Sequence, residues 1–173
     1  MRLLSLISLD FHRKKEIFIE DGANPSTLRM LFTDGTSANV FYRIMFCFSK
    51  YKFLMPFALF FQHVNRVYNG CVIGVKFEAK PGFVIMHPIG VVINSKTKVG
   101  NNITIESGVV IGAEKGLSPC LGDNIFIGAG AKIIGNVIIG SNVKIGANAV
   151  VVTDIPSNST ALGIPATARV NKL

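Results

Sequence analysis

Three histidines and three cysteines are the side chains of this chain best suited to proton transfer, metal binding or nucleophilic attack. His12 and His63 lie among residues with helical spacing and read as surface or packing groups. His87 stands apart in "IMHPIGVVIN", residues 85–94, as the only histidine beyond residue 63. An imidazole with an unperturbed pKa near ~6.5 can accept a proton from a hydroxyl at neutral pH, making a poor nucleophile an attacking one. The competing reading is a buried histidine satisfied by hydrogen bonds. A zinc site of the three-histidine kind is excluded, because the region around His87 supplies one. Cys47, Cys71 and Cys120 are widely spaced and odd in number, so neither a disulfide framework nor a zinc cluster follows, and a reducing, cytoplasmic compartment fits. Nothing beside Cys120 in sequence would lower its pKa, which argues against a nucleophilic thiol.

The element that has to hold His87 is a repeat. From Val75 the chain recurs every six residues, with first positions Val75, Pro81, His87, Ile93, Val99, Ile105 and Ile111, then, after a slip, Leu121, Ile127, Ile133, Ile139, Ile145 and Val151. All but Pro81 and His87 are aliphatic. Gly follows many of them, and Gly or Asn recurs three places on, at Gly90, Asn102, Gly108, Asn124, Gly130, Asn136, Asn142 and Asn148. The aliphatic residue is expected to point into a narrow core, and Gly and Asn to turn corners at positive φ. Short strands and corners at that period predict a coil that stacks on itself. In this register His87 occupies a core-type position.

Residues 1–70 obey another grammar. They hold ten of the thirteen Phe but three of the seventeen Gly. "NPSTLRMLF" starts like a capped helix, and "ANVFYRIMFCFSKY" and "PFALFFQHVNRVYNG" carry apolar residues at helical spacing. The division expected is a helical cap over 1–70, the repeat over 71–155 and a C-terminal tail over 156–173. "MRLLSLISLD" reads as mature protein rather than a signal peptide. A net charge of +8 is spread evenly over both halves, and no nucleic-acid motif is present. Phe41, Phe46, Phe57 and Phe61 with Arg43, Lys50 and Lys52 offer a peripheral membrane surface, against the alternative that these aromatics are core.

"VGNNITIESGVVIG", "IGAGAKIIGNVIIGSNVKIGANAVV" and the terminal "GIPA" resemble the hexapeptide-repeat acyltransferases, from about Ala38 to Arg169. The likeness is to the serine acetyltransferase branch and, within it, to the exopolysaccharide O-acetyltransferases of the colanic acid type. That resemblance implies a mainly β fold, a left-handed parallel β-helix assembled as a homotrimer, and acetyl-CoA as co-substrate without a metal. It assigns His87 as general base. It places Ala113, Ala129 and Ala147 along the pantetheine and Lys132 and Lys144 near the CoA phosphates.

The departures from the branch concern the acceptor. Met86 stands where an acidic residue precedes the histidine, and Val72 where its acidic partner falls. The inserted "AEKGLSPC" puts Leu117 and Ser118 where an arginine and a second histidine belong. Groups that would grip an amino acid's carboxylate and ammonium are gone, so a sugar hydroxyl of a surface polysaccharide or its lipid-linked precursor becomes the expected acceptor. Free serine and a non-catalytic scaffold are the alternatives. Glu106, about one coil above His87, or Glu78, is a candidate to replace the lost carboxylate.

Overall fold

The computed structural model describes residues 2–171. Four α-helices come first: α1 (Leu3–Glu20), α2 (Thr27–Leu31), α3 (Thr36–Ser49) and α4 (Met55–Asn69). Ser26 caps α2 by accepting from the Arg29 N–H, and Pro56 opens α4, where its missing N–H costs nothing. Gly70, at φ +65°, ends α4 in the left-handed conformation and turns the chain into the repeat.

Fifteen short strands follow. They are β1 (Val72–Ile73), β2 (Glu78–Ala79), β3 (Val84–Ile85), β4 (Val92–Ile93), β5 (Lys98–Val99), β6 (Ile103–Ile105), β7 (Val110–Gly112) and β8 (Cys120–Leu121). Then come β9 (Ile125–Ile127), β10 (Lys132–Ile134), β11 (Ile138–Ile139), β12 (Val143–Ile145), β13 (Val150–Val151), β14 (Ser159–Leu162) and β15 (Thr167–Val170). They stack into three sheets in the orders β1-β4-β7-β10-β13, β2-β5-β8-β11 and β3-β6-β9-β12-β14-β15. Every third strand therefore pairs in parallel with its predecessor, which makes a parallel β-helix and matches the left-handed form that the family resemblance implies. Within 156–173, β14 extends the third sheet and β15 pairs with it antiparallel.

The core is three ladders of aliphatic side chains. Ile73, Ile93, Ile111, Ile133 and Val151 line the first sheet, and Ala79, Val99, Leu121 and Ile139 the second. Ile85, Ile105, Ile127, Ile145 and Ala161 line the third, and every one of these residues is buried. Of the expected corner residues, Gly90, Asn102, Gly108, Asn124, Gly130, Asn142 and Asn148 have positive φ. At Asn136 the left-handed residue is instead the neighbouring Gly135.

The first coil departs from the expected register. Its interior residues are Ile73, Ala79 and Ile85, not Val75, Pro81 and His87. Ile85 pairs with Ile105, twenty positions on, so this coil carries two more residues than three hexads. The extra length falls in the corner between β3 and β4 and lifts His87 out of the core. The inserted "AEKGLSPC" lengthens the next coil, where Val99 pairs with Leu121.

The helices close the open end of the first coil. Tyr42, Phe77 and Phe83 stack with ring centroids 5.3–5.4 Å apart and plug the prism. Arg43, one of the residues weighed for a membrane face against a core role, is fully buried, and its Nε and Nη2 meet Asp10 at 2.6 and 2.9 Å. Phe46 and Phe61 also pack against the core. Apolar surface does remain exposed at Tyr51, Phe53, Phe57 and Phe60. No helix among the described residues is long and apolar enough to cross a membrane.

A second buried cation, Lys14 of α1, donates to the Asp34 carbonyl and, at 2.9 Å, to the Thr36 hydroxyl. Burial lowers its ammonium to about 8, against the opposing pull of the Asp34 charge. Between that value and the ordinary 10.5 the folded chain binds fewer protons than the unfolded one. Lys14's contribution to stability is thus present above that window and is lost as pH falls through about 8.

Two outcomes follow for urea unfolding. Asp10→Ala leaves the Arg43 charge buried without its partner and should cost about 3–5 kcal/mol; a loss below about 1 kcal/mol would mean that water reaches the guanidinium. From about pH 7 to 10.5, wild type should gain about 3 kcal/mol relative to Lys14→Met. A difference that does not change with pH would contradict a buried ammonium.

Candidate functional site

His87 sits on the corner between the third and first sheets. Strand β3 ends as the Met86 N–H donates to the Ile105 carbonyl, and the corner closes through Val91 N–H to Pro88 and Gly90 N–H to Gly70. Gly90, at φ +75°, makes the turn. His87 projects outward with its side chain 56% exposed. Met86 beside it is buried and does not line the groove into which His87 points.

Two carboxylates flank the imidazole. Glu106 Oε2 lies 4.0 Å from Nε2, as the stacking of coils leads one to expect. Strand register sets Glu106 opposite Met86 rather than His87, because Ile105 pairs with Ile85, but its side chain reaches across. Asp34 Oδ2 lies closer, 3.4 Å from Nδ1. Sequence reasoning missed Asp34, which comes from the turn between α2 and α3 and has no place in the repeat. The one signal available was "TDGT", a turn sequence with a glycine that has to fit somewhere tight. Gly35 has φ +76°, and a Cβ there would collide with the Ile85 and Met86 carbonyls. That close approach sets the turn against the corner holding His87.

The groove is an open depression of about 930 Å³. It has hydrogen-bonding groups from Thr33, Ser37, Asn69 and Ser107 beside apolar surface from Phe32, Tyr68 and Ile89. Phe32 and Tyr68 are 84% and 75% exposed, so their faces are open to a ligand. No Lys or Arg lines the groove among the described residues.

Of the residues expected to follow the cofactor, Ala129 and Ala147 share the His87 corner. The bonds from Gly108 N–H to Ile89, Gly130 N–H to Ser107 and Asn148 N–H to Ala129 stack Ile89, Ser107 and Ala129 in one column, which Ala147 continues, on the corner whose lengthened first coil carries His87. Ala113 follows β7 and sits on a different corner, so the three alanines do not form one line. The two lysines approach that corner from adjacent faces. Lys132, on the first sheet, donates to the Gly108 and Gly130 carbonyls at 2.7 Å each. Lys144 is exposed on the third. Ser118 lies in the inserted loop between β7 and β8 and donates to Asn94 at 3.0 Å. Within one chain this loop and His87 occupy different corners. Cys71 is buried, which pushes its thiol up to about 12, and Cys120 lies on the second sheet, away from His87.

Known proteins resemble this chain over nearly its whole length. Residues 121–153 match the family of bacterial transferase hexapeptide repeats (six repeats). The serine acetyltransferase of Staphylococcus aureus (strain Mu50 / ATCC 700699) is 36% identical over 157 residues, covering 87% of this chain and 73% of that protein. The crystal structure of Neisseria gonorrhoeae serine acetyltransferase in complex with serine superimposes with a TM-score of 0.86 at 33% identity, covering 95% of this chain and 68% of that one. A serine acetyltransferase in complex with CoA gives 0.87 at 27% identity, covering 96% and 69%.

Proposed function

As the chain belongs to the serine acetyltransferase family of hexapeptide-repeat, acetyl-CoA-dependent acyltransferases, we propose that it acetylates a sugar hydroxyl of a surface polysaccharide or its lipid-linked precursor. His87 is the general base. It takes the proton of the acceptor hydroxyl as that oxygen attacks the thioester carbonyl, and returns a proton to the departing CoA sulfur. Ser107, Ala129 and Ala147, small residues stacked above Ile89 on the corner that carries His87, leave room for the pantetheine arm beside the backbone. Lys132 and Lys144 flank the same corner further up, where the CoA phosphates would lie.

The observation that carries the sugar reading is the charge of the groove. Two carboxylates flank His87, and no cation among the described residues lines the depression. The carboxylate of a free amino acid would find repulsion there. A neutral pyranose finds hydroxyl and amide partners, with aromatic faces at Phe32 and Tyr68 for its apolar side. A second reading, O-acetylation of serine, is favoured by the relatives' own activity, and Asp34 could meet a serine ammonium. A homotrimer suits either acceptor, since a neighbouring prism would bring its inserted loop toward the His87 corner. The exposed Tyr51, Phe53, Phe57 and Phe60 beside Lys50 and Lys52 would suit a membrane-borne acceptor.

His87→Ala should lower acetyl-CoA thioester turnover by about 10²–10⁴-fold; turnover equal to wild type would remove His87 as base. For the acceptor, free serine should be compared with a set of p-nitrophenyl hexosides and N-acetylhexosaminides. Turnover above background is expected with one or more glycosides, and acetylation of serine at low millimolar concentration would overturn the sugar assignment.

A further inference from the structure

We propose that Asp34 is the carboxylate that orients His87, and that Lys14 and Thr36 are positioning residues that hold the turn presenting it. This rests on His87 being the base. A base that works at one ring nitrogen needs the other occupied by an acceptor, which fixes tautomer and ring angle. The β-helix itself does not supply that acceptor, since Val72 holds the position of the family's acidic partner. Asp34 Oδ2 lies 3.4 Å from Nδ1, against 4.0 Å between Glu106 Oε2 and Nε2. The shorter approach leaves Nε2 as the proton-accepting atom, with Glu106 beside it.

The Asp34 side chain is 75% exposed, so packing alone would not keep its carboxylate in place. Its backbone is fixed from three directions. Lys14 binds the Asp34 carbonyl and the Thr36 hydroxyl. Thr36 and Thr33 both donate to the Met30 carbonyl, at 2.9 and 2.8 Å, tying the turn to the end of α2. Gly35 rests against the Ile85 and Met86 carbonyls, the two residues before His87. Lys14 is 3% exposed in a small cavity lined by Ile7, Phe11 and Val40 together with Asp10, Thr36 and Asn39, where a methionine would avoid desolvating a charge. An ammonium at that place has no packing reason, but it has a positional one.

Two readouts test this. With ¹⁵N-labelled histidine, wild-type neutral His87 should carry its proton on Nδ1, and Asp34→Ala should move it toward the Nε2–H form. With acetyl-CoA and the most active glycoside of the set above, Asp34→Ala should lower kcat about 10–100-fold at unchanged KM for acetyl-CoA, and Asp34→Glu should restore part of it. Lys14→Met should give a smaller loss of the same kind. The double variant Asp34→Ala/Lys14→Met should be no worse than Asp34→Ala alone, because both act through one carboxylate. Thr36→Val probes the same clamp should Lys14→Met not fold. If His87→Ala is inactive while Asp34→Ala keeps both wild-type kcat and the Nδ1–H signal, the assignment of Asp34 is wrong. Additive losses in the double variant would remove Lys14 from the relay. If His87→Ala is itself fully active, the base reading fails instead.

Discussion

A β-helix has to end somewhere, and its first coil presents a row of backbone groups with no coil beneath to bond them. Here that edge is met by helix side chains. Asp10 accepts from the Gly82 and Phe83 N–H groups while Arg43 donates to the Ala79 and Lys80 carbonyls and to Asp10 itself. Asn39 bridges the Phe83 carbonyl and the Ile85 N–H, and Tyr42 the Phe77 carbonyl and Ala79 N–H. Gln62 takes the Ile73 carbonyl. An unpaired strand edge invites pairing with another chain, and buried unpaired backbone costs about as much as a lost hydrogen bond. One ion pair and three amide or phenol side chains therefore stand in for a whole missing coil, and they fix the cap's orientation on the prism.

That constraint reaches the site directly. The residues clamped by Asp10, Arg43 and Asn39 run from Ala79 to Ile85, immediately before His87. The same helices that bond this edge also carry Lys14 and Thr36, so the turn with Asp34 is fixed in the frame of the strand that leads to the imidazole. Base and carboxylate come from segments far apart in sequence, yet one polar network sets the distance between them. A cap that only closed the core would need the aromatic plug of Tyr42, Phe77 and Phe83 and little else.

The repeat was readable because a narrow prism admits few residue types inside and few conformations at its corners. From Ile93 onward the expected interior residues are the observed ones. The first coil was misread because Val75, Pro81 and His87 share the six-residue spacing with Ile73, Ala79 and Ile85. Only strand pairing shows that the corner after Ile85 is longer. The error made His87 look like an imidazole in a core position, whereas the structure shows an outward group on an enlarged corner. Asp34 lay beyond reach because nothing local links residue 34 to residue 87. Glu106 was found because an approximate coil spacing suffices to place a long side chain.

Departures from the eighteen-residue coil are where the protein differs from a plain prism, and they have a shared logic. The enlarged corner at Met86–Gly90 pushes His87 outward, and the loop after Ile111 projects from a second corner. Corners are the places where a solenoid can lengthen without breaking its ladders, because the strands on either side keep their partners. Charge is distributed along the His87 corner in the same spirit. Asp34 and Glu106 make its lower end anionic, and Lys132 and Lys144 lie further up, with coils ~4.8 Å apart. On the proposed reading this gradient orients acetyl-CoA, with its phosphates drawn to the lysines and its uncharged thioester left at the carboxylate end. On the same proposed reading, the acceptor that meets the thioester there lies between two carboxylates, which a neutral sugar hydroxyl tolerates.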